Sequence, residues 1–425
     1  MLTRRSFFHA AAGFGGGSLI SPPALAGLPP SAEAQPRNEA YWAKVAAQYD
    51  PAPDFINLEQ GYFGMMARPV AEDYKRNIDY LNAHNSRFLR QQFDGAGMDA
   101  IRARIAAAVG ADVSEIAITR GATESLQNLI VNYKHVKAGD TIMYADLDYD
   151  ATQYAMNELA LRRGAETAVV RIPEPPSRQA ILDAYAEAMR HHPRTRLLLL
   201  THISHRTGLV LPVAELVDMA RQRGIDVIAD AAQSWGQTDF MVADLKADFI
   251  GFNLHKWLGA PLGVGFMYIR KARLPDIGVH MSDQDYAAND IRSRVHSGTV
   301  NSANTMTVPA AFRFHEQIGV ANKSARLKYL RSYWVERVRG VKGLQILTPD
   351  DPSMYGASTS FRFDGKTSKE DNQRLAKRLM DEHGIFTVSR NGPVGGSCVR
   401  VTPALFTSPS HLDRLVQAIE ALSRA

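Results

Sequence analysis

VIADAAQSWG, residues 227–236, and NLHKWLGAPLGVGFMYIR, residues 253–270, decide how this chain is read. Asp230 closes a short apolar run and is followed by Ala-Ala-Gln. Lys256 stands 26 positions later, beside His255, at the head of a glycine-rich loop. In open α/β sheets, ligands bind beyond the carboxyl ends of the strands. Two opposite charges at two such ends are therefore placed to face one ligand.

The surrounding pattern supplies the sheet. Strand-like runs at 115–119, 141–146, 167–172, 196–203, 225–230, 248–253 and 264–270 are interleaved with helix-like segments at 101–109, 125–133, 152–164, 181–192 and 213–224. Gly224 is a fitting end for the last of these helices. Short apolar strands alternating with helices predict a large α/β domain over 54–310, with a mostly parallel, buried sheet of seven strands. After residue 310 the pattern changes to a long helical stretch at 310–340, helices at 368–383 and 410–424, and strands near 358–363, 385–389 and 397–402. This predicts a smaller α+β domain over 311–425. Residues 27–53, rich in Pro and Ala, read as a linker and arm leading to a helix near Tyr41–Tyr49.

The first 26 residues belong to a different category. Arg4 and Arg5 are followed by Ser6, Phe7 and Phe8, then an Ala/Gly-rich apolar run ending in Ala24-Leu25-Ala26. This predicts a twin-arginine export signal, a periplasmic destination, and a mature form with no membrane span. Removing two arginines from a net charge of +5 leaves +3. So small a charge, with no long basic cluster, argues against nucleic acid as a partner. The single cysteine, Cys398, has no partner for an internal disulfide.

Four groups at strand ends carry the chemistry, and together they describe a pyridoxal phosphate (PLP) site with no metal. TRGATES, residues 119–125, follows a strand and opens a helix, so the backbone N–H groups of Ala122 and Thr123 are candidates for a phosphate cradle. Taken alone, the same turn serves as an ordinary helix N-cap. Asp230 is the candidate partner of the pyridine nitrogen, where a carboxylate at contact raises the nitrogen's pKa by roughly 1–3 units. Gln233 is the candidate donor to the phenolic oxygen. Lys256 is the candidate Schiff-base lysine, and a protonated ring makes such a cofactor an electron sink. Asn253 and His255 are placed to reach the phosphate. Tyr149, in DLDYDA at 146–151, is placed to stack on the ring. The side-chain pocket is expected from loops at 61–68, which contain Tyr62, and at 84–95 and 280–296.

These residues resemble the class V aminotransferase family of fold-type I PLP enzymes, over about 54–424. The order is GYFG (61–64), GATE, the stacking loop, THISHRTG (201–208), DAAQ, the His-Lys pair, SGT (297–299) and a late strand arginine. HKWLGAPLGVGF is most similar to the isopenicillin N epimerase-like group. The resemblance implies that Gly298 and Thr299 reach the phosphate of a neighbouring subunit, hence a homodimer with shared sites. It implies that Arg400 binds the substrate α-carboxylate through a two-pronged guanidinium fork. Arg390, in the loop SRNGPVGGS at 389–397, is a candidate for a second substrate group, and Tyr62 is counted among the substrate-side residues.

Two positions depart from the family pattern. The stacking residue is Tyr149 where histidine is common, and His205 stands where asparagine is common, placing an ionisable group near the cofactor. Cysteine desulfurases share the resemblance but need a cysteine in the mobile loop, and 389–397 has none. Cys398 is expected to be a packing residue. The expected function is PLP chemistry on the amino group of an amino acid or a peptide-linked amino acid, with transamination favoured. Epimerisation, C–S lysis and cofactor binding without catalysis are the alternatives. With the export signal, the resemblance also suggests tailoring of an exported natural product such as a siderophore peptide.

Overall fold

The computed structural model of the chain describes residues 28–424, so the export signal expected at 1–26 lies outside the described residues. Helices are α1 (Glu39–Ala46), α2 (Arg68–Phe88), α3 (Met98–Val109), α4 (Ala122–Val131), α5 (Asp150–Arg163), α6 (Arg178–His191), α7 (Val213–Arg221), α8 (Ser302–Ile318), α9 (Val320–Val338), α10 (Lys369–His383) and α11 (Pro409–Leu422). Strands are β1 (Ile56–Asn57), β2 (Ile116–Thr119), β3 (Thr141–Ala145), β4 (Glu166–Val170), β5 (Thr195–Thr201), β6 (Asp226–Asp230), β7 (Phe249–Asn253), β8 (Gly265–Ile269), β9 (Leu344–Ile346), β10 (Thr359–Phe363), β11 (Ile385–Phe386), β12 (Val388–Arg390) and β13 (Cys398–Val401).

Among the described residues, the main sheet has seven strands in the order β2-β8-β7-β6-β5-β3-β4. Neighbouring strands are parallel except at β8, which runs antiparallel to β7 and β2. Both faces are buried, and the strand period of two is visible in the packing. Leu198 and Leu200 of β5 and Met143 and Ala145 of β3 enter one core with α3, α6 and α7. Leu197, Leu199, Ile142 and Tyr144 enter the opposite core with α4 and α5. The smaller unit carries an antiparallel sheet in the order β12-β13-β10-β9, and β1 pairs with β11 in a two-stranded parallel sheet. Its core is built on Trp334, Phe361, Val399, Leu412, Leu415 and Ile419.

Local signals explain several boundaries. Ser368 caps α10 by accepting the Asp371 N–H, and Gly384 closes it in the left-handed region, with φ 64°. The stretch expected to be one helix over 310–340 is two, α8 and α9, which meet at Gly319 with φ 88°. Phe312 and Phe314 of α8 pack in the larger core, whereas Leu330 and Trp334 of α9 pack in the smaller one. Ile56 and Leu58, which the sequence reading places with the large domain, also pack in the smaller core.

The segment expected to be a pocket loop at 84–95 is helical. It comprises the end of α2 and a wider π-type turn over Leu89–Gly97, with a kink at Asn85 where φ is 28°. Its buried residues Phe88 and Phe93 pack into the larger core, so this segment supports the domain.

Gly265 sits where the two antiparallel pairings meet, opposite Asn253 on one side and Thr119 on the other. A Cβ there would fall 2.3 Å from the Phe252 carbonyl oxygen and 2.6 Å from Gly121 Cα. Both obstacles are backbone and cannot rotate away. We expect Gly265→Ala to destabilise the protein by about 1–3 kcal/mol, the usual cost of overpacking. A lowered midpoint of urea denaturation is the readout, and an unchanged midpoint would contradict this packing.

Candidate active site

The carboxyl ends of β2, β5, β6 and β7 open into one cavity of about 410 Å³. Of the residues singled out from the sequence, Tyr62, Ala122, Thr123, Tyr149, His205, Asp230, Gln233, Asn253, His255 and Lys256 line it. Thr201, Glu124 and Arg120 also line it and were not singled out. Thr201 was readable in principle, since it lies opposite Asp230 in the β5–β6 register.

Lys256 is half-buried in this wall, and desolvation pulls its ammonium down to about 8, partly offset by Asp230. Its backbone is held from the amino-terminal glycine-rich segment. Gln60 Nε2 donates to the Lys256 carbonyl at 3.3 Å, and a Cβ on Gly64 would fall only 1.9 Å from that oxygen. Asp230 is 4% exposed and accepts the Ala232 N–H through Oδ1 at 2.8 Å. Burial raises its pKa, while that N–H and Lys256 act in the opposite direction. A buried acid and a half-buried amine on one cavity thus hold each other in partial balance.

The turn that opens α4 is more tightly built than the sequence implies. Asn253 Oδ1 accepts the Ala122 N–H at 2.8 Å, so this donor faces a side chain instead of an open anion site. Gly121 adopts φ 153° just before α4, and its own Cβ position would be 3.0 Å from Asn253 Oδ1. Asn253 therefore sets the turn, and Thr123 remains on the cavity wall at the positive end of a ten-residue helix. His255 is kept neutral, lowered to about 4 by burial and by Lys256, with Nδ1 3.3 Å from the Val264 carbonyl.

Gln233 also differs from its expected use. Its Nε2 donates to the Gly61 carbonyl and its Oε1 accepts the Trp257 indole N–H at 3.0 Å. The amide clips the 59–64 segment to the lysine loop, which leaves one N–H for any ligand. His205 is not the titrating group its position suggests. Burial, with Arg206, Arg400, Arg390 and Lys256 around it, drives its pKa well below the usual histidine value. Its Nδ1 is buried and has no partner among the described residues, although the ring lines the cavity. Its ring meets Tyr149 edge to face at 5.1 Å. The Tyr149 hydroxyl is pushed up to about 12 by its hydrogen bond with Tyr62 and by burial.

Four expected site residues lie outside the cavity lining. Gly298 and Thr299 are exposed, and the neighbouring Ser297 donates to Glu124 at 2.7 Å. Arg400 is 1% exposed and already partnered: one terminal nitrogen donates to the His205 carbonyl and the other meets Glu59 at 2.5 Å. Arg390 approaches the same Glu59 at 3.8 Å and lies over the Tyr62 ring at 5.5 Å. Residues 280–296 do not line the cavity either. Within them, Asp283, Asp285 and His296 bring possible ligand atoms within 4.8 Å of one another, a grouping absent from the sequence reading.

A lysine amine, a carboxylate and a helix N-terminus on one cavity suit an aldehyde cofactor bearing a pyridine ring and a phosphate. The donor set carries the fit: a carboxylate 4% exposed matches a ring nitrogen, and an amine lowered to about 8 matches an aldehyde carbon. Comparison with known proteins gives the class. Residues 70–411 match the Aminotransferase class-V family, and the chain belongs to that family of PLP-dependent enzymes. It is 30% identical over 402 residues to isopenicillin N epimerase of Amycolatopsis lactamdurans, covering 90% of this chain and 99% of that protein. The corresponding enzyme of Streptomyces clavuligerus is 28% identical over 400 residues, with the same coverage.

Among solved structures, the fold matches the Escherichia coli cysteine desulfurase CsdA with a TM-score of 0.74 at 22% identity, over 89% of this chain and 98% of that one. It matches a C-DES mutant with glycine covalently linked to the PLP cofactor with a TM-score of 0.75 at 21% identity, over 88% and 98%. PLP is the cofactor of this enzyme. No helix of the described residues is long and apolar enough to cross a membrane.

The lowered Lys256 pKa has a direct kinetic expression. The amine is the nucleophile, and it is free above about 8, in contrast to about 10.4 for an ordinary lysine. We expect the rate of PLP uptake by the apoprotein to rise with pH and level off beyond about 8. A rate still climbing two units higher would mean that Lys256 is solvated.

Proposed function

We propose that the protein is an exported, homodimeric PLP-dependent enzyme acting on the α-amino group of an amino acid or a peptide-linked amino acid, by transaminase-type chemistry. The observation that carries this reading is the pairing of Lys256 with buried Asp230 on one cavity, with the lysine poised near 8. PLP, when bound, supplies the electron sink that makes a Cα–H bond acidic. In this reading Lys256 holds the cofactor, then removes the Cα proton and delivers it at a second carbon. Asp230 keeps the ring nitrogen protonated. Thr123 and His255 border the phosphate, Asn253 fixes that turn by holding the Ala122 N–H, Tyr149 covers the ring, and the remaining Gln233 N–H faces the phenolic oxygen. Gly298 and Thr299, exposed in the single chain, serve the site of a second subunit.

Transamination is favoured over epimerisation by the distribution of bases. Epimerisation is suggested by the names of the relatives, and it needs a proton returned to the opposite face of Cα. Tyr149 is held near 12 and His205 well below neutrality, so neither is matched to proton transfer near pH 7. Sulfur transfer through a persulfide is disfavoured because Cys398 is fully buried and its thiol is pushed up to about 11.

Two measurements test the reading. The purified enzyme, incubated with a panel of amino acids, is expected to convert its cofactor to the amine form. Lys256→Ala is expected to slow that conversion by at least about 10²–10⁴-fold, the usual worth of a positioned acid–base group, and to lose the visible absorbance band. Inversion at Cα without the amine form would instead establish an epimerase. Export and a tailoring role predict that the protein is found in the periplasmic fraction and that loss of its gene changes a secreted metabolite by mass spectrometry. An unchanged secreted profile would remove the tailoring role.

A further inference from the structure

Arg400 and Arg390 form a cationic wall behind Tyr62, yet one carboxylate is already built into it. Glu59 is 8% exposed, and its Oε1 lies 2.5 Å from Arg400 Nη2 and 3.8 Å from Arg390 Nη2. Its Oε2 accepts from the Thr402 hydroxyl at 3.4 Å. The backbone fixes this placement, because Glu59 forms a parallel bridge with Thr402, next in the chain after β13. Gly61 closes the group from above, since a Cβ there would lie 3.1 Å from Arg400 Nη2. Glu59 and Arg400 therefore belong to one rigid, dry unit. Inside it, two guanidinium charges face a single internal carboxylate, which leaves one positive charge uncompensated. That charge belongs to Arg390, whose side chain is 19% exposed where Arg400 is 1%. Both arginines have a buried Nε with no partner among the described residues.

We propose that Glu59 is a specificity-determining residue that makes this two-arginine wall accept one substrate carboxylate. It stands in for a second carboxylate and excludes ligands that carry two there. The inference rests on the reading that the cavity takes an amino-acid substrate. Its physical basis is charge balance in a poorly solvated site. One incoming carboxylate brings the wall to neutrality, whereas a second meets an anion already seated. The chemical class expected is a substrate whose reacting end carries a single carboxylate. Arg390, more than the saturated Arg400, supplies the free attraction.

The test uses the holoenzyme and two probes, propionate and maleate, titrated against the cofactor absorbance at fixed ionic strength. The wild type is expected to bind propionate and to discriminate against maleate. Glu59→Gln, which keeps the shape and removes the charge, is expected to shift the maleate-to-propionate affinity ratio toward maleate by at least about tenfold. A ratio that is unchanged, or that moves toward propionate, overturns the inference. If Glu59→Gln fails to hold cofactor, Arg390→Gln decides. It removes the uncompensated charge, leaves the Glu59–Arg400 pair intact, and is expected to weaken propionate at least about tenfold with the absorbance band retained. Full propionate affinity in Arg390→Gln overturns the inference. An enzyme that forms the amine form with amino acids while the ratio stays fixed loses only this inference. A wild type that responds to neither probe and to no amino acid loses the substrate reading as well.

Discussion

A single hydrogen bond, from the Ala122 N–H to Asn253 Oδ1, joins the start of α4 to the end of β7. The cavity exists because this joint is short. A Cβ on Gly265 would run into Gly121 and the Phe252 carbonyl, one on Gly121 would press on Asn253 Oδ1, and the antiparallel strand β8 passes between Asn253 and Thr119. The helix N-terminus is thereby brought to the same strand ends that present Asp230 and Lys256. Backbone dipole, carboxylate and amine meet at one place because glycine lets three backbones approach closely.

The burial that assembles these groups also sets their protonation. Desolvation pulls Lys256 down, raises Asp230 and keeps His205 and His255 neutral. The same cause acts with opposite sign on acids and bases, so one dry cavity yields an amine free at mildly alkaline pH beside imidazoles that stay uncharged. Asp148 shows how deep this effect runs. It is fully enclosed below the site, and burial lifts its carboxyl to about 7 while it accepts the Ala145 and Thr201 N–H groups.

Much of this was legible in the chain. The seven strand-like runs became the seven strands, because alternating burial on two faces leaves a strong apolar pattern. Ten of the residues singled out for the cofactor and substrate meet on one cavity, because strand ends are readable as positions. What was not legible is partner choice. The sequence offers Ala122, Gln233 and Arg400 as donors but does not say that Asn253, Gly61 and Glu59 already accept from them. Glu59 in particular looks like an ordinary acidic residue in INLEQGYFG, and only a pairing across more than three hundred residues reveals its place. The helix over 84–88 escaped because its periodicity runs into the π-type turn that follows.

The division at Gly319 has a consequence for substrate length. Glu59, Arg400 and Arg390 ride on the smaller unit, since β1, β12 and β13 belong to its sheets and Leu58 to its core. Lys256 and Asp230 ride on the larger one. The two groups meet where the smaller unit docks on the larger: Arg400 donates to the His205 carbonyl, and Gln233 Nε2 donates to the Gly61 carbonyl. A ligand that spans from the arginines to the lysine must match a distance set by these few docking bonds, not by either core alone.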